Sequence, residues 1–362
     1  MKRFFAIASI ALFIAAALCV PTGAQNNESN NKITLAVFGD WPYSTTLLNE
    51  APLLINSINS DPKVRLVVHV GDIHSGSMPC TGAGLNPPPP VYAPLWNIGI
   101  FNLFEQFKNP VVYTPGDNEW TDCHKRRQGN NVVGSGAPMN ELAAVRNLFF
   151  ANPGLTLGVH RKRVESQAEV VDQDHPTDAQ FVENVMWKES QVVFVTLNVP
   201  GSNNDGIPWT APFTNEPART TEVEQRNGAN LRWLERAFEK AETEDAKAVL
   251  IALQADMWDP AALVPGGDGL SGYTTLVQKI ADLAVQFDRP VLLINGDSHV
   301  FEADQPLADP NSSTGVIHHT QAVPNLFRIT VEGSTAADEW VRLTIDPHSS
   351  AIFSWDRIQY LP

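Results

Sequence analysis

One phrase of sequence, used five times, constrains the fold of this chain more than anything else in it: a short apolar run closed by a strand-tip cluster of small, amide and acidic residues. Ile33–Phe38 ends in Gly39-Asp40, and Val64–Val70 ends in Gly71-Asp72. Val111–Thr114 ends in Pro115-Gly116-Asp117, Val249–Leu253 in Gln254-Ala255-Asp256, and Val291–Ile294 in Asn295-Gly296-Asp297. Apolar runs of this length without polar alternation read as strands covered on both faces.

Helical periodicity fills the intervals. Leu47, Leu48, Leu54, Ile55 and Ile58 mark 45–58, and Leu142, Val145, Leu148 and Phe149 mark 137–150. Leu231, Leu234, Phe238 and Ala241 form one stripe over 221–242, with Thr221 and Glu224 at capping-box spacing, and Leu276, Ile280 and Leu283 mark 273–287. Strand–helix alternation predicts a layered α/β fold. After Asp297 the runs Phe327–Val331, Trp340–Ile345 and Ala351–Trp355 read as antiparallel strands. Residues 75–95, with Pro87 to Pro90, and 151–190, with a strand near Phe181–Trp187, read as long loops of the kind that bind or cover ligands. No internal repeat or linker divides the chain, so 32–362 is expected to be one domain.

The first residues follow a different logic. Lys2 and Arg3 precede an apolar run from Phe4 to Val20 and then Pro21-Thr22-Gly23-Ala24, the pattern of a secretory signal peptide over 1–24. The alternative, a membrane anchor, has a run at the short limit for spanning, and no other stretch is apolar enough to cross a bilayer. Residues 25–31 are polar and read as a flexible lead-in. The expectation is a periplasmic or secreted protein. Its formal net charge of −15 argues against nucleic acid as a partner. Cys80 and Cys123 are the cysteines outside the leader; in an oxidising compartment they are expected to pair, the alternative being two separate buried thiols.

In open α/β sheets ligands gather beyond the carboxyl ends of the strands. Asp40, Asp72, Asp117, Gln254 and Asp297 all stand there, and His299 follows two residues later. Carboxylates converging at one edge repel one another unless a cation sits among them, and oxygen-rich donor sets favour hard divalent ions.

The order Gly39-Asp40, Gly71-Asp72, Gly116-Asp117-Asn118-Glu119, a strand ending in Gln254, and Gly296-Asp297-Ser298-His299 resembles the calcineurin-like metallophosphoesterases. The likeness runs from about Ile33 to Val331 and into the trailing strands. It implies a layered α/β/β/α sandwich with mixed sheets and a dinuclear centre that hydrolyses phosphate esters. Two hard ions (Mn, Mg, Fe or Ca) would share Asp72. Asp40 and His299 would complete the first site, and Asp117, Gln254 and Asp297 the second. Asn118 would donate to a phosphoryl oxygen, and His74 and His124 are the candidates for protonating the leaving group. His124 and its neighbours Lys125, Arg126 and Arg127 could also meet the substrate, although a solvated face is the commoner role of such a basic run.

The chain departs from the family pattern at several points. Pro42 stands where the first motif has a ligand histidine, with Tyr43 beside it as a stand-in. Asp117, Asn118, Gln254 and Asp297 replace an asparagine and three histidines, and His299 is the aligned histidine that persists. Apart from Pro42, each replacement at a ligand position keeps an oxygen donor. The resemblance therefore points to a metal-dependent hydrolase of a small-molecule phosphate ester. The alternative is a non-catalytic metal- or ligand-binding protein on the same scaffold, favoured by loss of the substrate-contacting histidine. A serine hydrolase lacks its Gly-x-Ser-x-Gly elbow here.

Overall fold

The computed structural model describes residues 32–81, 94–126 and 134–361; the leader, the lead-in, the run of four prolines and Arg127 lie outside them. The strands are β1 (Ile33–Phe38), β2 (Val64–His69), β3 (Val111–Tyr113), β4 (Glu165–Ser166), β5 (Val185–Glu189), β6 (Val192–Thr196), β7 (Ala248–Ala252), β8 (Val291–Asn295), β9 (Glu302–Asp304), β10 (Leu326–Thr330), β11 (Glu339–Ile345) and β12 (Phe353–Gln359). They form two sheets, in the orders β12-β11-β1-β2-β3 and β4-β5-β6-β7-β8-β10-β9. The strands that carry the tips, β1 to β3 and β7 with β8, run parallel within their sheets, and antiparallel strands extend both sheets outward.

The two faces of β1 explain its unbroken apolarity. Leu35 and Val37 enter a core between the sheets with Val68, Phe194, Leu250 and Ile294. Ala36 and Phe38 point the other way, into a layer with Leu54, Ile58, Phe104 and Phe149 from the helices Thr45–Ser60, Pro94–Phe104 and Pro138–Phe149. On the far side of the second sheet, Trp233, Leu234, Val277 and Ile280 pack the helices Glu216–Thr243 and Thr274–Phe287 against β6 to β8. The result is the α/β/β/α sandwich with mixed sheets that the sequence implied.

Three details differ from the sequence reading. The long helix begins at Glu216, capped by the Asn215 side chain on the Ala218 N–H (3.3 Å) with Pro217 in its first turn. Thr221 and Glu224 thus lie inside it; the fixed φ of Pro217 and the Asn215 cap start the helix earlier. The helix Pro94–Phe104 starts at the end of the 75–95 loop and covers residues to which the sequence assigned no element, anchored by buried Trp96, Ile100 and Phe104. Strand β10 is antiparallel to β9 but parallel to β8, because the 296–325 connection crosses back over the sheet.

Cys80 and Cys123 form a disulfide with Cα atoms 5.7 Å apart. Both are buried, and the bond joins the segment after β2 to the one after β3.

Candidate metal centre

The tips meet at one edge of the sandwich. The first sheet contributes Asp40, Asp72 and Asp117, and the second contributes Gln254, Asp297 and His299. Asp40, Asp72, Asp297 and His299 all have positive φ, at 47°, 57°, 76° and 66°. Such backbone persists where surroundings enforce it, commonly at functional sites. The glycines of the motifs allow the approach. A methyl group on Gly116 would collide with the Asp72 carboxylate, and one on Gly296 with that of Asp40.

Asp40, Asp72 and His299 offer ligand atoms that all lie within 4.8 Å of one another. Tyr43 sits among them. Its hydroxyl donates to Asp72 Oδ2 (2.7 Å), lies 3.2 Å from Asp40 Oδ1 and is 3.3 Å from His299 Nε2. The stand-in one residue beyond Pro42 is thus at the middle of the cluster. Asn118 Nδ2 donates to Asp72 Oδ2 (2.8 Å) and to the Tyr43 oxygen (2.9 Å). Beneath them fully buried Glu119 accepts from the Tyr113 hydroxyl and the Gly116 N–H (2.6 Å each) and from the Asp72 N–H (3.2 Å), which fixes the turn. Tyr43, Asp72, Asn118 and His299 line a cleft of about 510 Å³ together with Asp117, Asp297, Lys125, Ser202, Asp259 and Asp268, while Asp40 and Gln254 are fully buried.

Burial, with repulsion from neighbouring carboxylates, pushes Asp40 up to about 8 and Asp72 and Asp297 well above the carboxylate range. Asp117 rises to about 7, chiefly through burial and then through Asp122, against the pull of Lys125. Burial lowers His299, leaving a neutral ring with a lone pair for a ligand. Among the described residues no lysine or arginine pairs with Asp40, Asp72 or Asp297. Asp40, Asp72, His299 and the Tyr43 oxygen therefore fit a hard divalent cation.

The other half is organised differently. Asp117 Oδ2 accepts from the Ser202 hydroxyl (2.7 Å), and Oδ1 faces Gln254 Nε2 (3.3 Å). The Gln254 oxygen accepts from the Gly201 N–H (2.5 Å), and Asp297 Oδ2 from the Asp256 N–H (3.1 Å). Gly201 and Ser202 open a turn after β6 in which Ser202, Asn203, Asn204 and Asp205 are all left-handed, with φ of 54° to 60°. That conformation costs roughly 1–2 kcal/mol per non-glycine residue, less for Asn and Asp. Buried Arg226 offsets it: it holds Asn204 through side chain and carbonyl and is paired with Glu222 at 2.7 Å.

The remaining candidates lie elsewhere. His74 is buried, with Nδ1 3.1 Å from the Ser75 carbonyl, and His124 Nδ1 accepts from the Thr210 N–H (3.0 Å). Neither lines the cleft, and burial lowers both, His124 to about 4. Asp256 does line the cleft, with its carboxylate paired to Arg328 at 2.7 Å. Ser202 and Gly201 were not singled out in the sequence. Their signal is faint: a Gly-Ser-Asn-Asn-Asp-Gly run directly after a buried strand.

His69, at the end of β2, ties two tips together. Its Nδ1 accepts from the Gly71 N–H (3.2 Å), so the proton is on Nε2, which donates to the Trp41 carbonyl (3.1 Å). Burial lowers it to about 3. A neutral buried histidine of this kind contributes stability that is complete above pH 6.5 and disappears as pH falls toward 3, where the folded form must also take the proton. The stability advantage of wild type over His69→Gln, from urea midpoints at pH 7, 5 and 4, is thus expected to shrink steadily with acidification. The loss between pH 7 and pH 4 has an upper bound of about 3 kcal/mol. An advantage independent of pH would refute this role.

Among solved structures, the fold is similar to GAP50 of Plasmodium, described as the anchor in the inner membrane complex: 11% identity, TM-score 0.42, 91% of this chain and 90% of that one. It is also similar to the sulfate thiohydrolase SoxB of Thermus thermophilus (12% identity, TM-score 0.41, 91% of this chain) and the NAD nucleotidase of Haemophilus influenzae (9%, 0.42, 90%). This chain spans 57% and 55% of those two chains. No curated protein sequence matches it. A sequence model of the calcineurin-like phosphoesterases matches residues 33–301, a stretch that contains every proposed ligand. The chain belongs to the calcineurin-like phosphoesterase family.

Proposed function

We propose that this protein is an exported, metal-dependent hydrolase of a small phosphate ester. The convergence of Asp40, Asp72 and His299 around the Tyr43 hydroxyl carries the reading. Export is proposed from the sequence of residues 1–24, and the Cys80–Cys123 disulfide suits an oxidising compartment. Among the described residues no helix is long and apolar enough to cross a membrane.

A divalent ion held by Asp40, Asp72 and His299 would supply Lewis-acid polarisation and neutralise charge at the reacting phosphoryl group. The protein's own groups do the rest. Asp72 is aligned by Tyr43 and Asn118, so its position is set before substrate arrives. Asn118 lines the cleft, and its Nδ2, which donates to Asp72 and Tyr43, would meet a phosphoryl oxygen by exchanging one of these bonds. It has no proton to give a leaving group. His74 and His124, expected from sequence to do so, do not line the cleft.

Leaving-group departure without a general acid should depend steeply on the leaving group itself. A p-nitrophenyl ester is expected to turn over about 10²-fold or more faster than an alkyl ester of the same acid, the scale of a missing general acid. Equal rates, with chemistry rate-limiting, would show that a proton donor operates in the cleft.

A non-catalytic binding role is the second reading. It is favoured by Tyr43 and Asn118 donating to Asp72 rather than facing outward. Metal analysis of purified protein, followed by an aryl-phosphate assay with Mn, Mg, Ca, Fe and Zn, separates the two. The hydrolase reading expects chelator-sensitive turnover. Bound metal with no turnover on monoesters, diesters or nucleotides selects the binding role, and failure to bind any metal removes both.

A further inference from the structure

The family resemblance leads to the expectation of two ions, yet the donors of the second half of the centre are already engaged by protein groups. A methyl group built on Gly201 would lie 2.6 Å from Asp297 Oδ1 and 2.8 Å from Asp117 Oδ2. The main chain at Gly201 thus runs close against both carboxylates that would grip a second ion. The amide oxygen of Gln254 points at the Gly201 N–H and its nitrogen at Asp117, the reverse of what a ligand to metal requires.

Positive charge is nonetheless delivered there. Lys125 Nζ lies 2.7 Å from Ser202 Oγ, 2.8 Å from Asp122 Oδ2 and 3.2 Å from Asp268 Oδ2. These are three acceptors for its three protons. Ser202 Oγ is 2.7 Å from both Asp117 Oδ2 and Asp122 Oδ1, so one hydroxyl links the ammonium to the strand-tip acid. We propose that Lys125, acting through Ser202 and the left-handed turn, takes the place of the second cation, so that the centre holds a single divalent ion at Asp40, Asp72 and His299. Lys125 is a positioning and charge-balancing residue here. The proposal rests on the metal-dependent reading above and narrows it.

The test is Mn²⁺ titration of the full chain by equilibrium dialysis, with electron paramagnetic resonance on the loaded protein. One equivalent with the six-line signal of an isolated ion is expected. Two equivalents with an exchange-coupled signal overturn the inference and leave the metal-dependent reading standing; no binding overturns both. Lys125→Met strips Asp117 and Asp122 of their counter-charge and is expected to take up a second equivalent, while Lys125→Arg returns to one. Ser202→Gly, which suits a positive φ and removes only the hydroxyl link, is expected to behave like Lys125→Met and provides the test if that variant fails to fold. Stoichiometry that stays at one in folded Lys125→Met or Ser202→Gly refutes the role assigned to Lys125.

Discussion

Asp72→Asn is expected to lower kcat/KM for an aryl phosphate by about 10³-fold or more, because it removes charge stabilisation worth several kcal/mol from the reacting centre. Asp72 is the acid on which the site converges: Tyr43 Oη, Asn118 Nδ2 and the Asn118 N–H all donate to it, at 2.7, 2.8 and 3.1 Å. An amide in its place turns an NH₂ toward some of these donors and offers one acceptor where two were used. The fold should survive. Asparagine tolerates the φ of 57°, and a buried carboxylate pushed far above its usual range is no longer present to be desolvated. The metal-stripped variant should therefore melt no lower than metal-stripped wild type, while its bound Mn²⁺ falls below one equivalent. Turnover within tenfold of wild type, with metal content unchanged, would sink both the ligand assignment and the reaction proposed for it.

Loss of the Cys80–Cys123 bond should be the largest effect on stability. The bond closes a loop with a sequence separation of 43, for which chain entropy alone gives about 4 kcal/mol. It also has a local role. Cys80 Sγ lies 3.3 Å from the Asn118 carbonyl, and the Cys80 N–H donates to Ser135 Oγ at 2.7 Å, so the bond draws the segment after Asp72 against the turn that carries Asn118. Cys80→Ala/Cys123→Ala is expected to lower the guanidinium midpoint and to raise KM along with it, and dithiothreitol should reproduce both in wild type. A double variant as stable as wild type would show that the bond contributes nothing to stability.

The part of the site that was legible from sequence has a simple cause. Each of Asp40, Asp72, Asp117, Gln254 and Asp297 follows a buried strand within a few residues, and a parallel sheet brings such positions to one edge whatever the loops do. The same register explains why the two cores could be anticipated from runs such as Ile33–Phe38, whose alternate residues serve both faces. What sequence did not disclose depends on the paths of loops. His74 and His124 stand close to the motifs in number, yet their side chains are drawn into backbone hydrogen bonds away from the cleft. Ser202 is separated from Asp117 by 85 positions and reaches it only because a left-handed turn, enforced by Arg226 from a distant helix, folds back over the tips. Lys125 was visible as part of a basic run, but its tie to Ser202 follows from that same turn, and its tie to Asp268 from a separate loop.

The division of the donors between two sheets has a consequence for assembly. Asp40, Asp72 and Asp117 come from one half of the sandwich, and Gln254, Asp297 and His299 from the other. A half-formed molecule, with one sheet closed and its partner still loose, would own acids or an imidazole but no place to seat an ion. Cation uptake should therefore mark the moment when the halves have docked in register, and a chain caught short of that point would be as silent chemically as an unfolded one.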